Sequence, residues 1–186
     1  MEELKDYSGK FVPNLRYEDL SKEVLAKLLK AYCKEMLVLD AYWQEQVRKR
    51  LGDEVVFECL LDNWTRVGKY EMGWAMEAAN ITGKDVEAYA KACQLIGSFA
   101  QDLYQYEFDL KNNNHGILTV HECPALTALE KRNPERIVQT CHVLELEGMK
   151  AYTAAVNPAI QVKPLKLAPR KSRDEVACQW EFKIET

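Results

Sequence analysis

The hydrophobic period of this chain changes once, near residue 104, and that change limits the folds open to it. From Ser21 to about residue 100, apolar residues recur every three or four positions. From Tyr104 they alternate with polar ones. The first rhythm draws a stripe along a helix and the second covers one face of a strand. Helices first and strands later predict an α+β fold, with long helices on one face of a roughly four-stranded antiparallel sheet.

In the helical half, residues 1–103, Leu25, Leu28, Leu29, Tyr32, Met36, Leu39, Trp43 and Val47 form the first apolar stripe. Gly52 is expected to end that helix and Asp53 to cap the next. In the second helix Val56, Leu60, Trp64, Val67 and Trp74 share a face, and the helix is expected to end near Asn80. Thr82 and Asp85 then read as a capping start, with Val86, Tyr89, Ala90, Cys93, Ile96 and Ala100 as a third stripe. Residues 1–19 read as a loosely held leader.

In the second half, residues 104–186, Tyr104, Tyr106, Phe108 and Leu110 predict a strand, and residues 117–122 return across a polar turn as its hairpin partner. A short helix is expected over 125–131. Asn133-Pro134-Glu135 then opens a long one, whose stripe is Ile137, Cys141, Leu144, Gly148, Ala151 and Ala155. Two strands close the chain. The first, over 160–167, is confined to an edge by Pro164, and the second carries Val176, Cys178, Trp180, Phe182 and Ile184. The 186 residues are read as one domain.

A net charge of −4 with no basic block argues against nucleic acid and anionic membranes as partners. The opening residues, Met1 to Asp6, hold no apolar run of a secretory signal. The six cysteines lack disulfide-like spacing, and Cys33, Cys59 and Cys93 sit singly in helical patterns as small packing residues. A reducing cytoplasm is expected.

Chemistry concentrates in the last third. His121, Cys123, Cys141, His142 and Cys178 are soft or basic groups that bind zinc or iron or attack carbonyls. Cys141 and His142 supply a nucleophile with its base. Asp40, Glu71 and Glu145 fall on or beside apolar stripes, where an unpaired carboxylate is costly. With Trp43, Trp64 and Trp180 as walls, these residues outline a small-molecule pocket. The plain alternative is a satisfied core: cysteines that pack, and acids that cap buried donors such as a Trp N–H. Arg132, Arg136, Arg170, Lys171 and Arg173 are expected to gather near the end of the sheet, as an anion site or a solvated rim. A different class of reading is a non-catalytic sensor that forms a homodimer through the first long helix, with Tyr42 and Trp43 on adjacent faces.

Leu39-Asp40-Ala41-Tyr42-Trp43, Asp62-Asn63-Trp64, Cys123-Pro124, Cys141-His142 with Gly148, and Cys178-Gln179-Trp180-Glu181-Phe182 resemble an uncharacterised family of anaerobic bacteria and archaea. That family is similar in layout to L-2-amino-thiazoline-4-carboxylic acid hydrolase-like domains, and more distantly to the 4-vinyl reductase small-molecule-binding domain. The resemblance implies a ligand-binding α+β fold, marks Asp40, Trp43, Cys123, Cys141 and Cys178, and points to hydrolysis of a small amide or ring C–N bond. Relatives often carry a further cysteine on the penultimate strand, where this chain reads Val162-Lys163-Pro164-Leu165. His121 or His142 would have to complete any metal site.

Overall fold

The computed structural model describes residues 3–185; Met1 and Glu2, where the signal reading begins, and Thr186 lie outside them. Ser21 caps α1 (Lys22–Leu51), its side chain accepting from the Val24 N–H. Gly52, at φ +90°, ends α1 and is also the cap of α2 (Asp53–Ala78), so Asp53 is the first residue of that helix and not its cap. Asp85 caps α3 (Val86–Cys93) through a bond to the Ala88 N–H. The third stripe stops there, because Ile96 lies beyond the helix and residues Gly97–Phe99 form a separate 3-10 turn.

The hairpin is β1 (Gln105–Asn112) and β2 (His115–Glu122), followed by α4 (Pro124–Arg132). Residues 134–156 are helical throughout but not uniformly so. A π-helical turn, Gln139–Leu144, leads into α5 (Glu145–Val156). The chain closes with β3 (Gln161–Lys166) and β4 (Cys178–Lys183). The sheet order is β1-β2-β4-β3, antiparallel throughout, and Pro164 lies on the edge strand β3 as its missing N–H requires.

One face of the sheet is wet. There His115 meets Glu181 (3.0 Å), His121 meets Glu107 (3.3 Å), and Gln179 donates to Thr119. The other face is the core. Leu118, Val120, Trp180 and Phe182 pack beneath Tyr89, Met72, Tyr152 and Val156 from α3, α2 and α5. A smaller cluster of Val56, Leu60 and Leu144 with Trp43 and Trp64 ties α1 and α2 to the π turn.

The π turn explains a displaced stripe. An extra residue in a helical turn rotates everything after it by one position. The expected inward residues Gly148, Ala151 and Ala155 give way to Met149, Tyr152 and Val156, each one position later. The shift brings the Tyr152 ring against α2 at Gly68, where nothing larger than hydrogen fits.

Three further expectations are corrected. The α1 stripe is not buried, and the helix contains no fully buried residue; Leu29 and Leu39 are open to solvent. On α2, Trp74 is exposed, and Gly68 and Met72 take the inner positions. The leader folds back onto α1 rather than hanging loose. Leu4 exchanges backbone hydrogen bonds with Asp19 and Ser21, and the segment borders an open apolar hollow of about 630 Å³ against Val24 and Leu28. Cys59 is exposed while Cys93 is buried. Among the described residues no helix is long and apolar enough to cross a membrane.

A β-carbon at position 68 would lie 2.3 Å from the Tyr152 ring. Gly68→Ala should therefore destabilise the fold by about 1–3 kcal/mol despite its better helix propensity, read as a lowered urea midpoint. An unchanged midpoint would show that the two helices do not meet there.

Candidate functional site

Antiparallel pairing brings three chain segments to one end of the sheet. Val120 pairs with Cys178 and Gln105 with Glu122, so the start of β1, the end of β2 and the start of β4 coincide. Tyr104, Cys123 and Cys178 arrive there on the core side. The π turn lowers Cys141 and Glu145 onto the same end, and all three cysteines and Tyr104 pack against the core. Cys123 is held by its role as the cap of α4, its sulfur accepting from the Leu126 N–H at 3.3 Å.

Their charges act on one another. Burial pushes the Cys123 thiol up to about 12, and the Glu145 carboxylate adds to the effect. Burial likewise raises Cys178 to about 12, with Cys123 and Glu145 adding, while the Trp180 N–H pulls the other way. Cys141 is raised further, by burial first, then by Glu145, Cys123 and Cys178. Tyr104 is raised well above its usual range by burial, then by Cys123, Glu145, Asp40 and Cys178. At neutral pH these thiols are protonated and poorly nucleophilic.

Glu145 is the centre of this group. Neighbouring protein crowds its carboxyl, and that burial alone raises its pKa to about 7. The residue as a whole is only half-buried, so the recess that holds its carboxyl lies at the surface and not in a sealed core. No described residue makes a hydrogen bond to its carboxyl. A second orphan lies nearby: the Trp180 indole N–H is buried without an acceptor in hydrogen-bond geometry, although it is near enough to Cys178 to favour that thiolate.

The other two acids are satisfied. Asp40 accepts from its own helix, from Trp43 Nε1 at 2.9 Å and Gln44 Nε2 at 2.6 Å. Burial raises its pKa and its charge reaches Tyr104, so it borders the crevice. Glu71 is a structural tie apart from the crevice, accepting from the Ser98 N–H (3.1 Å), the Ser98 hydroxyl (2.6 Å) and the Tyr152 hydroxyl (2.5 Å). Among the tryptophans Trp180 lies beside Cys178. Trp43 belongs to the smaller cluster, and Trp64 packs against both clusters.

The histidines do not join. His121 lies on the wet face of the sheet with Glu107, because the chain turns inward only after it, at Cys123-Pro124. His142 donates from Nε2 to the Ala168 carbonyl at 2.6 Å. It follows Cys141 on the helix, and neighbouring helical residues point about 100° apart, so no thiol–imidazole dyad forms. Soft donors suit zinc or iron by type. Yet among the described residues no three His, Cys, Asp or Glu side chains are grouped closely enough to hold an ion. The metal set His121, Cys123, Cys141, His142 and Cys178 is thus split three ways. The basic residues do not assemble either. Arg170, its side chain 1% exposed, clamps Glu130 and the carbonyls of His121, Arg173 and Glu175. Arg136 leaves for Asp53, which Arg48 already holds.

Tyr104, in the sequence one of the alternating apolar residues of the first strand, joins the site without standing out there. Its signal was its place one strand end away from Cys123.

Iodoacetamide at about pH 7.5 should label the exposed Cys59 and spare Cys123, Cys141 and Cys178 until urea is added, as counted by mass spectrometry. Fast labelling of Cys141 in the folded chain would contradict this. Glu71→Gln turns one of the two accepting oxygens into a donor that faces one or two of the three donors, and should cost about 1–3 kcal/mol in a denaturation series.

No curated protein and no solved structure matches the chain. The sequence of one family does match, described as a family of unknown function (DUF6125), and it spans residues 18–184, from the 3-10 turn before α1 to the end of the sheet. The chain belongs to that family.

Proposed function

We propose that this protein binds a small organic molecule in the crevice floored by Glu145 and walled by Tyr104, Cys123, Cys141 and Cys178. Glu145 carries the reading. An enclosed carboxyl with no protein partner lowers stability and is kept where something from outside completes it. A ligand with an amide, amidine or ring nitrogen on an apolar body suits the site. Its N–H donates to the carboxylate, or a ring nitrogen accepts from the neutral acid, while protonated sulfurs and aromatic rings enclose the rest.

The resemblance to hydrolase-like domains adds hydrolysis of a small C–N bond. In this geometry such a reaction uses Glu145 as the proton donor and acceptor, since a group with pKa about 7 exchanges protons readily at neutral pH. Cys141 as nucleophile with His142 as base is not part of the reading. A metal-assisted step is not part of it either, because the donors do not converge. Six free thiols suit a reducing cytoplasm.

Glu145→Gln tests the proposal. In scanning fluorimetry against amides, amidines and heterocyclic amines at pH 7, some compounds should raise the melting temperature of the wild type. Their apparent affinity should fall at least about tenfold in the variant. No stabilising compound, or equal shifts in both proteins, would remove the proposal.

The same substitution has a signed effect without ligand. The folded pKa of about 7 lies above the reference 4.5, so between these values the folded chain holds the extra proton and loses stability as pH rises. The penalty is complete above pH 7. Glu145→Gln should leave stability near pH 4 unchanged, and at about pH 8 should raise it by on the order of 2 kcal/mol, read from urea curves at each pH.

A further inference from the structure

The geometry points to an oxyanion site at the corner where α1 ends, α2 begins and the Pro134–Arg136 turn comes in, with Arg48 and Arg136 as its two arms and a phosphate group as its guest. Both guanidiniums converge on one carboxylate. Arg48 Nε donates to Asp53 Oδ1 at 2.7 Å, and Arg136 Nε lies 3.9 Å from the same oxygen. One carboxylate is too little for two guanidiniums. Arg48 Nη2 is buried with no acceptor among the described residues. The Arg136 side chain is only 11% exposed, and no described residue accepts a hydrogen bond from its guanidinium. A buried donor left unpaired costs stability, and a buried charge costs more. The two arginines also repel. Arg48 acts on Arg136 more strongly than Asp53 does, and Glu135 acts more weakly still. Nearby partners are engaged elsewhere, Lys49 with Glu45 and Arg50 with Gln46.

Asp53 marks where the guest sits. Its side chain is 66% exposed against 25% for Arg48, so the acid is the outer member of the group. An exposed ion pair is worth little, and a side chain in the first turn of a helix can turn away at small cost. A phosphate in place of that carboxylate presents more oxygens and a second negative charge. It serves Arg48 and Arg136 together, in the forked geometry that suits a guanidinium and not an ammonium. Asp53 is also the first residue of α2, and the Gly52 cap has no side chain to occupy the first amides, so the positive end of a 26-residue helix adds to the same corner. Asp53 is thus a built-in competitor that the anion displaces. Burial alone moves Glu145, so neither arginine's charge reaches it, and the two sites act separately.

Thermal melts at about pH 7.5 and fixed ionic strength test this, with sodium phosphate or phenyl phosphate replacing sodium chloride. At least one of the two should raise the wild-type melting temperature, with a half-point on the order of 1 mM. Asp53→Asn, which removes the competing charge, should lower that half-point at least about fivefold. Arg136→Met, which keeps the buried stem, should raise it at least about tenfold. Any general stabilising action of phosphate moves all three proteins alike. Phenyl phosphate binding at least about tenfold tighter than inorganic phosphate identifies a phosphomonoester as the guest, and equal or weaker binding identifies the free ion. No shift beyond that in chloride, an Asp53→Asn protein that binds no tighter than the wild type, or an Arg136→Met protein that binds equally well would each overturn the inference. Asp53 is exposed, so Asp53→Asn decides the matter even if Arg136→Met does not fold.

Discussion

The contact between α2 and α5 sets the rest of the molecule in place. It closes where the Tyr152 ring lies against the bare backbone at Gly68 and its hydroxyl donates to Glu71. Glu71 also takes both donors of Ser98, so one carboxylate fastens α2, α5 and the connection into the sheet. Bonds to a charged acceptor are stronger than neutral ones, and three donors offset much of the desolvation cost. The arrangement exists only because the π turn advances α5 by one residue. Without that step Ala151 would face Gly68, and Glu145 would sit at the edge of the stripe.

The same turn thus creates a satisfied acid and an unsatisfied one on adjoining helices. Glu71 serves the fold. Glu145 works against it, and its three sulfur neighbours offer no donor strong enough to hold its charge. Burial and mutual repulsion keep the crevice neutral, so it is a poor place for a thiolate and a suitable one for an uncharged or weakly basic guest. Insertions of this kind in a helix often mark working sites, because the strain they carry would otherwise be lost.

Local physics made much of the fold legible. The change of period, the helical start at Ser21, the cap at Asp85, the stop at Gly52 and the edge placement of Pro164 are one- to four-residue signals, and the structure keeps them, while Pro134 opens a 3-10 turn that Asn133 does not cap with its side chain. The candidate site was legible in part. Cys123, Cys141, Cys178 and Glu145 reach one end of the sheet, near enough for their charges to act on one another but not to share an ion, because strand parity and helix spacing fix their faces. His121 and His142 do not, since a single turn at Pro124 and one backbone carbonyl at Ala168 redirect them, and neither leaves a mark in residue spacing. The α1 stripe misled for another reason. Periodicity reveals that a face is apolar, but not what covers it.

The sheet itself is barred from recruiting strands. On its outer edge Pro164 interrupts the row of amide hydrogens, and Lys163 and Lys166 flank the gap. At the opposite margin β1 carries Glu107, Asp109 and Lys111 outward, and its register slips at both ends. An incoming extended chain would find broken hydrogen-bonding and charges to desolvate along either border. A partly opened molecule therefore resists growth into fibrils, which leaves helices free to display oily surface without that hazard.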